Sequence, residues 1–181
     1  MTVRAAKLPV SSALVPMRTA GDFLDCYYTN AVPTDLTARE ATDIALGAFP
    51  AWVKMLMAVR NRFVAPFGIK TGGANNAPSG LAEKSLGTGE KCPENMDETS
   101  MPGRVGIFKI YSQSQAEIIL GGDDKHLDFR VSIMRHDGGI YLATWVLPHN
   151  LFGRLYLCVI LPFHKVICRH AVARLEVVVD V

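Results

Sequence analysis

The sequence predicts an α+β domain in which an antiparallel sheet curls around a long C-terminal helix. Three observations carry that reading. Residues 104–147 divide into four strand-like runs joined by short links. The stretch from Leu147 to Leu175 then reads mostly as one helix. It is apolar all round from Leu155 to Phe163, the mark of a helix buried on most sides or of a membrane segment. Helical signals also lie upstream, between residues 37 and 66, so helices flank the strands at both ends.

Residues 1–21 are weakly patterned and read as an extended N-terminal segment. Asp22–Thr29 is aromatic and partly alternating, which predicts a strand. Phe23, Asp25 and Tyr27 share one of its faces; Leu24, Cys26 and Tyr28 share the other. Thr37 and Glu40 form a capping-box pair. The helix they open carries Ala41, Ile44, Ala45 and Ala48 on one stripe and stops before Pro50. A second short helix starts there, with Trp52, Met55, Leu56, Val59 and Phe63 at i, i+3, i+4, i+7 and i+11, a core-facing stripe. Residues 68–103 are punctuated by seven glycines and three prolines. So long a connection inside one domain reads as a glycine-rich surface loop. Within it, Gly87-Thr-Gly-Glu-Lys91 lacks phosphate-loop spacing and no strand feeds it.

The four later strands are Arg104–Ser112, Gln115–Gly121, Lys125–His136 and Gly139–Leu147. Asp137-Gly-Gly139 and Gly121-Gly-Asp-Asp124 are hairpin signals, and links this short force antiparallel neighbours. Ile140–Phe163 is the one stretch with a membrane-span composition. Pro148, Asn150, Gly153 and Arg154 interrupt its centre, so it divides into a strand and a helix and no span is expected.

The whole chain of 181 residues fits a single domain. With 49% apolar and 20% charged residues it is globular in composition. A formal charge of +2 with no basic stripe points away from nucleic acid. Arg154, Lys165, Arg169 and Arg174 ride on the late helix as solvated ridges and suit its C-terminal dipole. Cys26, Cys92, Cys158 and Cys168 show no CxxC spacing, and reduced thiols fit the cytoplasm. Two prolines and two serines between Leu8 and Pro16 break any signal-peptide core.

Chemistry, if present, centres on the strand Lys125–Ile133. Leu127, Phe129, Val131 and Ile133 face one way; His126, Asp128, Arg130 and Ser132 face the other. The polar row is either a wet outer face with an Asp128–Arg130 pair or the wall of a cavity under the helix. In a cavity, the arginine fork would orient a carboxylate or carbonyl. Glu117, on the preceding strand, is either a partner of Arg130 or a general base. His149 and His164 flank or enter the helix and could approach the same space. No histidine stands in metal-ligand spacing, so no metal is expected, and no GxSxG motif supports a serine triad.

Three blocks carry a family resemblance: Pro50-Ala-Trp-Val-Lys-Met-Leu-Met-Ala-Val-Arg-Asn61, Gly121-Gly-Asp-Asp-Lys-His-Leu-Asp-Phe-Arg130, and His149-Asn-Leu-Phe-Gly-Arg-Leu-Tyr156 with Leu161-Pro-Phe-His164. Together they resemble a bacterial domain of unknown function, number 2867, over roughly residues 22–175. That family is grouped with the START-like (SRPBCC) helix-grip proteins. The resemblance implies a curved sheet gripping the C-terminal helix with a ligand cavity between them. Family members stand alone or follow a dinucleotide-binding domain. No GxGxxG unit occurs here, so the stand-alone form is implied, with no cofactor. Asp124, His126, Asp128, Arg130, His149 and His164 are the motif positions to follow.

The functional expectation is therefore a binding module for a small apolar or amphipathic ligand, with Trp52, Phe129, Tyr141, Trp145, Tyr156 and Phe163 as candidate lining. The alternatives are a cyclase- or hydratase-like enzyme using Asp128, Arg130 or a histidine, and a partner module of a separate oxidoreductase. A homodimer is compatible with each.

Overall fold

The computed structural model describes residues 3–46, 103–105 and 108–176. The second helix expected from Pro50, with Trp52, and nearly all of the 68–103 loop lie outside the described residues. The fold is α+β: a curved antiparallel sheet, a short helix and a long C-terminal helix, a helix-grip layout. The strands are β1 (Arg4–Ala5), β2 (Phe23–Thr29), β3 (Arg104–Val105), β4 (Phe108–Gln113), β5 (Glu117–Asp123), β6 (Leu127–His136) and β7 (Gly139–Pro148). The helices are α1 (Ala38–Leu46) and α2 (Leu151–Glu176). The sheet order is β1-β2-β7-β6-β5-β4-β3, with every neighbouring pair antiparallel.

Local chemistry sets these boundaries. The Thr37 N–H donates to Glu40 Oε2 at 2.9 Å, and the Glu40 N–H donates to Thr37 Oγ1 at 3.2 Å, closing the expected capping box ahead of α1. Asp137 (φ 48°) and Gly138 (φ 73°) both sit in the left-handed region, as a two-residue turn between β6 and β7 requires. One expected strand is two. Arg104 pairs with Lys109 and Val105 with Phe108, so the run read as a single strand folds back on itself.

The pleat separates two apolar layers. On the inner face Tyr27, Ile118, Leu120, Val131, Ile133, Ile140 and Leu142 pack against Ala38, Ala41 and Ala45 of α1 and against Cys168, Ala171, Val172 and Leu175 of α2. On the outer face the N-terminal segment lies across the sheet, where Leu14, Leu8 and Met17 cover Cys26, Ile119, Ala143 and Trp145. The polar row of β6 belongs to this outer face: Arg130 stands opposite Trp145 and Ser132 opposite Ala143.

The C-terminal helix departs from expectation. Of its 26 residues only Gly153, Cys168, Ala171, Val172 and Leu175 are buried, while Leu155, Val159 and Phe163 are exposed. Its apolar middle is thus not enclosed, because the helix is seated at its two ends. At the first seat, a Cβ on Gly153 would fall 2.1 Å from the His126 carbonyl oxygen. Gly153→Ala is expected to lower stability by about 2 kcal/mol through this backbone clash, read as a lower urea midpoint at unchanged slope.

Candidate functional site

The inner face beneath α2 holds a polar cluster. Residue alternation in β2 turns Phe23, Asp25 and Tyr27 toward the helix, opposite Val146, Thr144 and Leu142 of β7. His164 and Cys168 are one helical turn apart on α2, so both reach the same patch. His164 Nε2 lies 3.1 Å from each Asp25 carboxylate oxygen. The Cys168 sulfur is 3.5 Å from His164 Nε2 and 3.6 Å from Nδ1, and 3.9 Å from Thr144 Oγ1. The Phe23 ring meets the imidazole edge-on at 6.1 Å between centroids.

Burial by itself would depress the His164 pKa. The hydrogen bond to Asp25, then the Cys168 sulfur and the Asp25 charge, outweigh it and raise the value to about 10. The imidazole is therefore a cation at neutral pH. A cysteine, a histidine and an aspartate together suggest a nucleophile triad, but here the imidazole Nε2 is turned to the Asp25 carboxylate and the Cys168 sulfur is shut away from solvent. The sulfur is buried and equidistant from both ring nitrogens, so neither nitrogen is aimed at it. The cluster is an ion-paired clasp between β2 and α2, and it offers a fixed polar spot in an apolar surround.

The other sequence candidates are spread over three places. Glu117 is buried on the outer face, where it accepts from Ser12 Oγ (2.6 Å), the Ala13 N–H (2.8 Å) and Ser132 Oγ (2.5 Å). It does not pair with Arg130. Arg130 instead binds Asp123 at 2.7 Å, with its guanidinium 3.7 Å from the Tyr111 ring centroid. The Tyr111 hydroxyl donates to Asp123 at 2.6 Å, and this bond, with Arg130 beside it, lowers the Asp123 pKa against the effect of burial. Trp145 is on the same outer face, its Nε1–H donating to Asp22 at 2.8 Å.

Asp128 pairs with His149 Nε2 at 3.1 Å near the start of α2. His126 Nδ1 is 3.1 Å from Asn150 Nδ2, and its ring meets Phe152 at a 56° tilt with centroids 4.8 Å apart. Thus Glu117, Asp128, Arg130 and Trp145 do not line the space under α2. The alternation of β6 revealed two faces, and the apolar one turned out to meet the helix. Tyr156 is half-buried on α2, and His164 alone of the polar candidates enters the inner cluster. Its partners Asp25 and Cys168 were not singled out from sequence, although the i, i+4 spacing of His164 and Cys168 was a usable signal. Among the described residues no group of three or more His, Cys, Asp or Glu side chains could hold a metal ion.

A curved antiparallel sheet with a long terminal helix seated on its inner face and a charged pair between them defines an α+β helix-grip domain. The chain belongs to the family described as protein of unknown function DUF2867, whose model matches residues 19–171, from just before β2 into the last turns of α2. Comparison with curated proteins and with solved structures gives no match.

Proposed function

We propose that the protein binds a small apolar or amphipathic molecule between the inner face of the sheet and the middle of α2. The observation that carries this reading is that the residues of α2 between its outward-facing pairs, at 156–157, 160–161, 164 and 167, are only half-buried although the helix is seated on both sides of them. The seats are Gly153 beside Pro148 and Cys168 beside Thr144. Between them α2 travels about 22 Å at its usual rise.

Apolar walls with one or two fixed polar groups suit an amphipathic guest. Phe23, Phe129 and Val146 supply apolar surface on the sheet side. His164 and Asp25 would fix the orientation of a polar end group. A panel of medium- and long-chain fatty acids and of fused-ring aromatic phenols tests the reading by melting temperature and native mass spectrometry. A ligand at a hundredfold its Kd stabilises by about 2.7 kcal/mol, a rise of roughly 5–10 °C for a domain of this size. Trp145 sits on the opposite face, so its fluorescence should stay unchanged on binding. No melting shift and no retained mass with either class would overturn the proposal.

A further inference from the structure

Ten residues of α2 face outward at helical spacing: Leu151, the pairs at 154–155, 158–159, 162–163 and 165–166, and Arg169. Leu151 is 81% exposed, Leu155 62%, Val159 63%, Phe163 46% and Val166 56%. Cys158 and Pro162 complete an apolar ridge about 22 Å long. Soluble surfaces rarely show so continuous an apolar strip without a partner for it. Arg154 and Lys165 lie along the same exposed side, and Arg169, also exposed, continues the row with its guanidinium reaching back to 5.8 Å from the Tyr27 ring centroid. The helix carries no acidic residue before Glu176.

We propose that this ridge docks α2 flat on an anionic lipid bilayer surface, with the apolar side chains in the headgroup–acyl boundary and the cations on the phosphates. Two features select that occupant. By length and composition the helix could cross a membrane, with a mean hydropathy of 1.6. Yet its last turns are locked in the core through Val172 and Leu175, and Gly153 is pressed on His126, so it lies along an interface and does not thread through one. A second copy of the chain is disfavoured by charge. A two-fold pairing along this ridge would gather two sets of Arg154, Lys165 and Arg169 round one seam with no carboxylate from the same strip to meet them.

The test is co-sedimentation of the full chain with vesicles of phosphatidylcholine alone and of phosphatidylcholine with about 30 mol% phosphatidylglycerol. Binding to the anionic vesicles at least about tenfold tighter than to the neutral ones, weakened by added salt, is expected. Leu155→Asp with Val159→Asp should abolish it. Both positions are exposed, so an unchanged melting temperature would show that the fold survives. Arg154→Glu with Lys165→Glu should weaken anionic binding by about tenfold and leave any neutral-vesicle binding unchanged. Absence of binding to both vesicles overturns the proposal. So does a homodimer that the Leu155→Asp, Val159→Asp variant splits, because the ridge would then be an interface between copies. Both results leave the ligand under α2 untouched, since that site is on the opposite side of the helix.

Discussion

Replacing Glu117 with alanine is expected to cost about 3 kcal/mol and to loosen the N-terminal segment from the sheet. The carboxyl group is buried and is the shared acceptor for Ser12 Oγ, the Ala13 N–H and Ser132 Oγ. Truncation leaves two buried hydroxyls and the part-buried Ala13 N–H without that acceptor. Two of these three donors belong to the segment that covers Cys26, Ile119, Ala143 and Trp145. The loss should therefore be uneven. Hydrogen exchange should accelerate first over residues 8–17, and urea unfolding should begin earlier than in the parent. Glu117→Gln keeps Oε1, the acceptor of both Ser12 and Ser132, loses the acceptor of the Ala13 N–H, and should cost roughly half as much. A change below about 0.5 kcal/mol in the alanine variant would show that the segment is held by its apolar contacts alone.

The second large effect concerns the clasp between β2 and α2. In the unfolded chain His164 releases its proton near 6.5; in the folded chain it keeps it up to about 10. A group raised in this way stabilises fully below the lower value, and its contribution is lost as pH climbs toward the upper one. Between pH 6.5 and 8.5 the fall should reach about 2 kcal/mol, close to the limit for one proton over two pH units. That window lies below the range where Cys26, pushed up to about 12 by burial and by Asp25, adds a loss of the same sign. Asp25→Asn should flatten the curve across this window. It should also lower stability at pH 6.5 by about 3 kcal/mol, because a half-buried imidazolium loses its counter-charge. A parent protein equally stable at pH 6.5 and 8.5 would contradict the assignment of a protonated His164.

Much of the architecture was legible because it is written in short-range chemistry. Thr37 and Glu40 announced α1, and Asp137-Gly138 announced the β6–β7 hairpin. The alternation in Lys125–Ile133 gave the two faces of β6. What alternation cannot say is which element covers which face. Here both faces are covered, the apolar one by α1 and α2 and the polar one by an N-terminal segment too weakly patterned to advertise that role. Ser132 and Glu117 are therefore buried, and Arg130 is buried against the Tyr111 ring; all three lie away from the helix. The Asp25–His164 pair was hidden for a different reason. Its members are far apart in sequence and meet only once β2 has joined β7. The all-round apolar stretch of α2 was visible but ambiguous, since composition does not distinguish a helix enclosed by protein from one that leaves a face for something else. The β3–β4 fold-back was missed because strand-forming residues run straight through it.

The place of β2 in the sheet has a consequence for biogenesis. Phe23–Thr29 has β7 as its main neighbour, and Phe23 aligns with Val146, so a strand made early must wait for one made late. While the chain is still emerging from the ribosome, β2 has only the two residues of β1 to shield its edge. Fragments that stop short of residue 146 should accordingly be captured by chaperones or precipitate, and productive folding should start only after translation has passed that point.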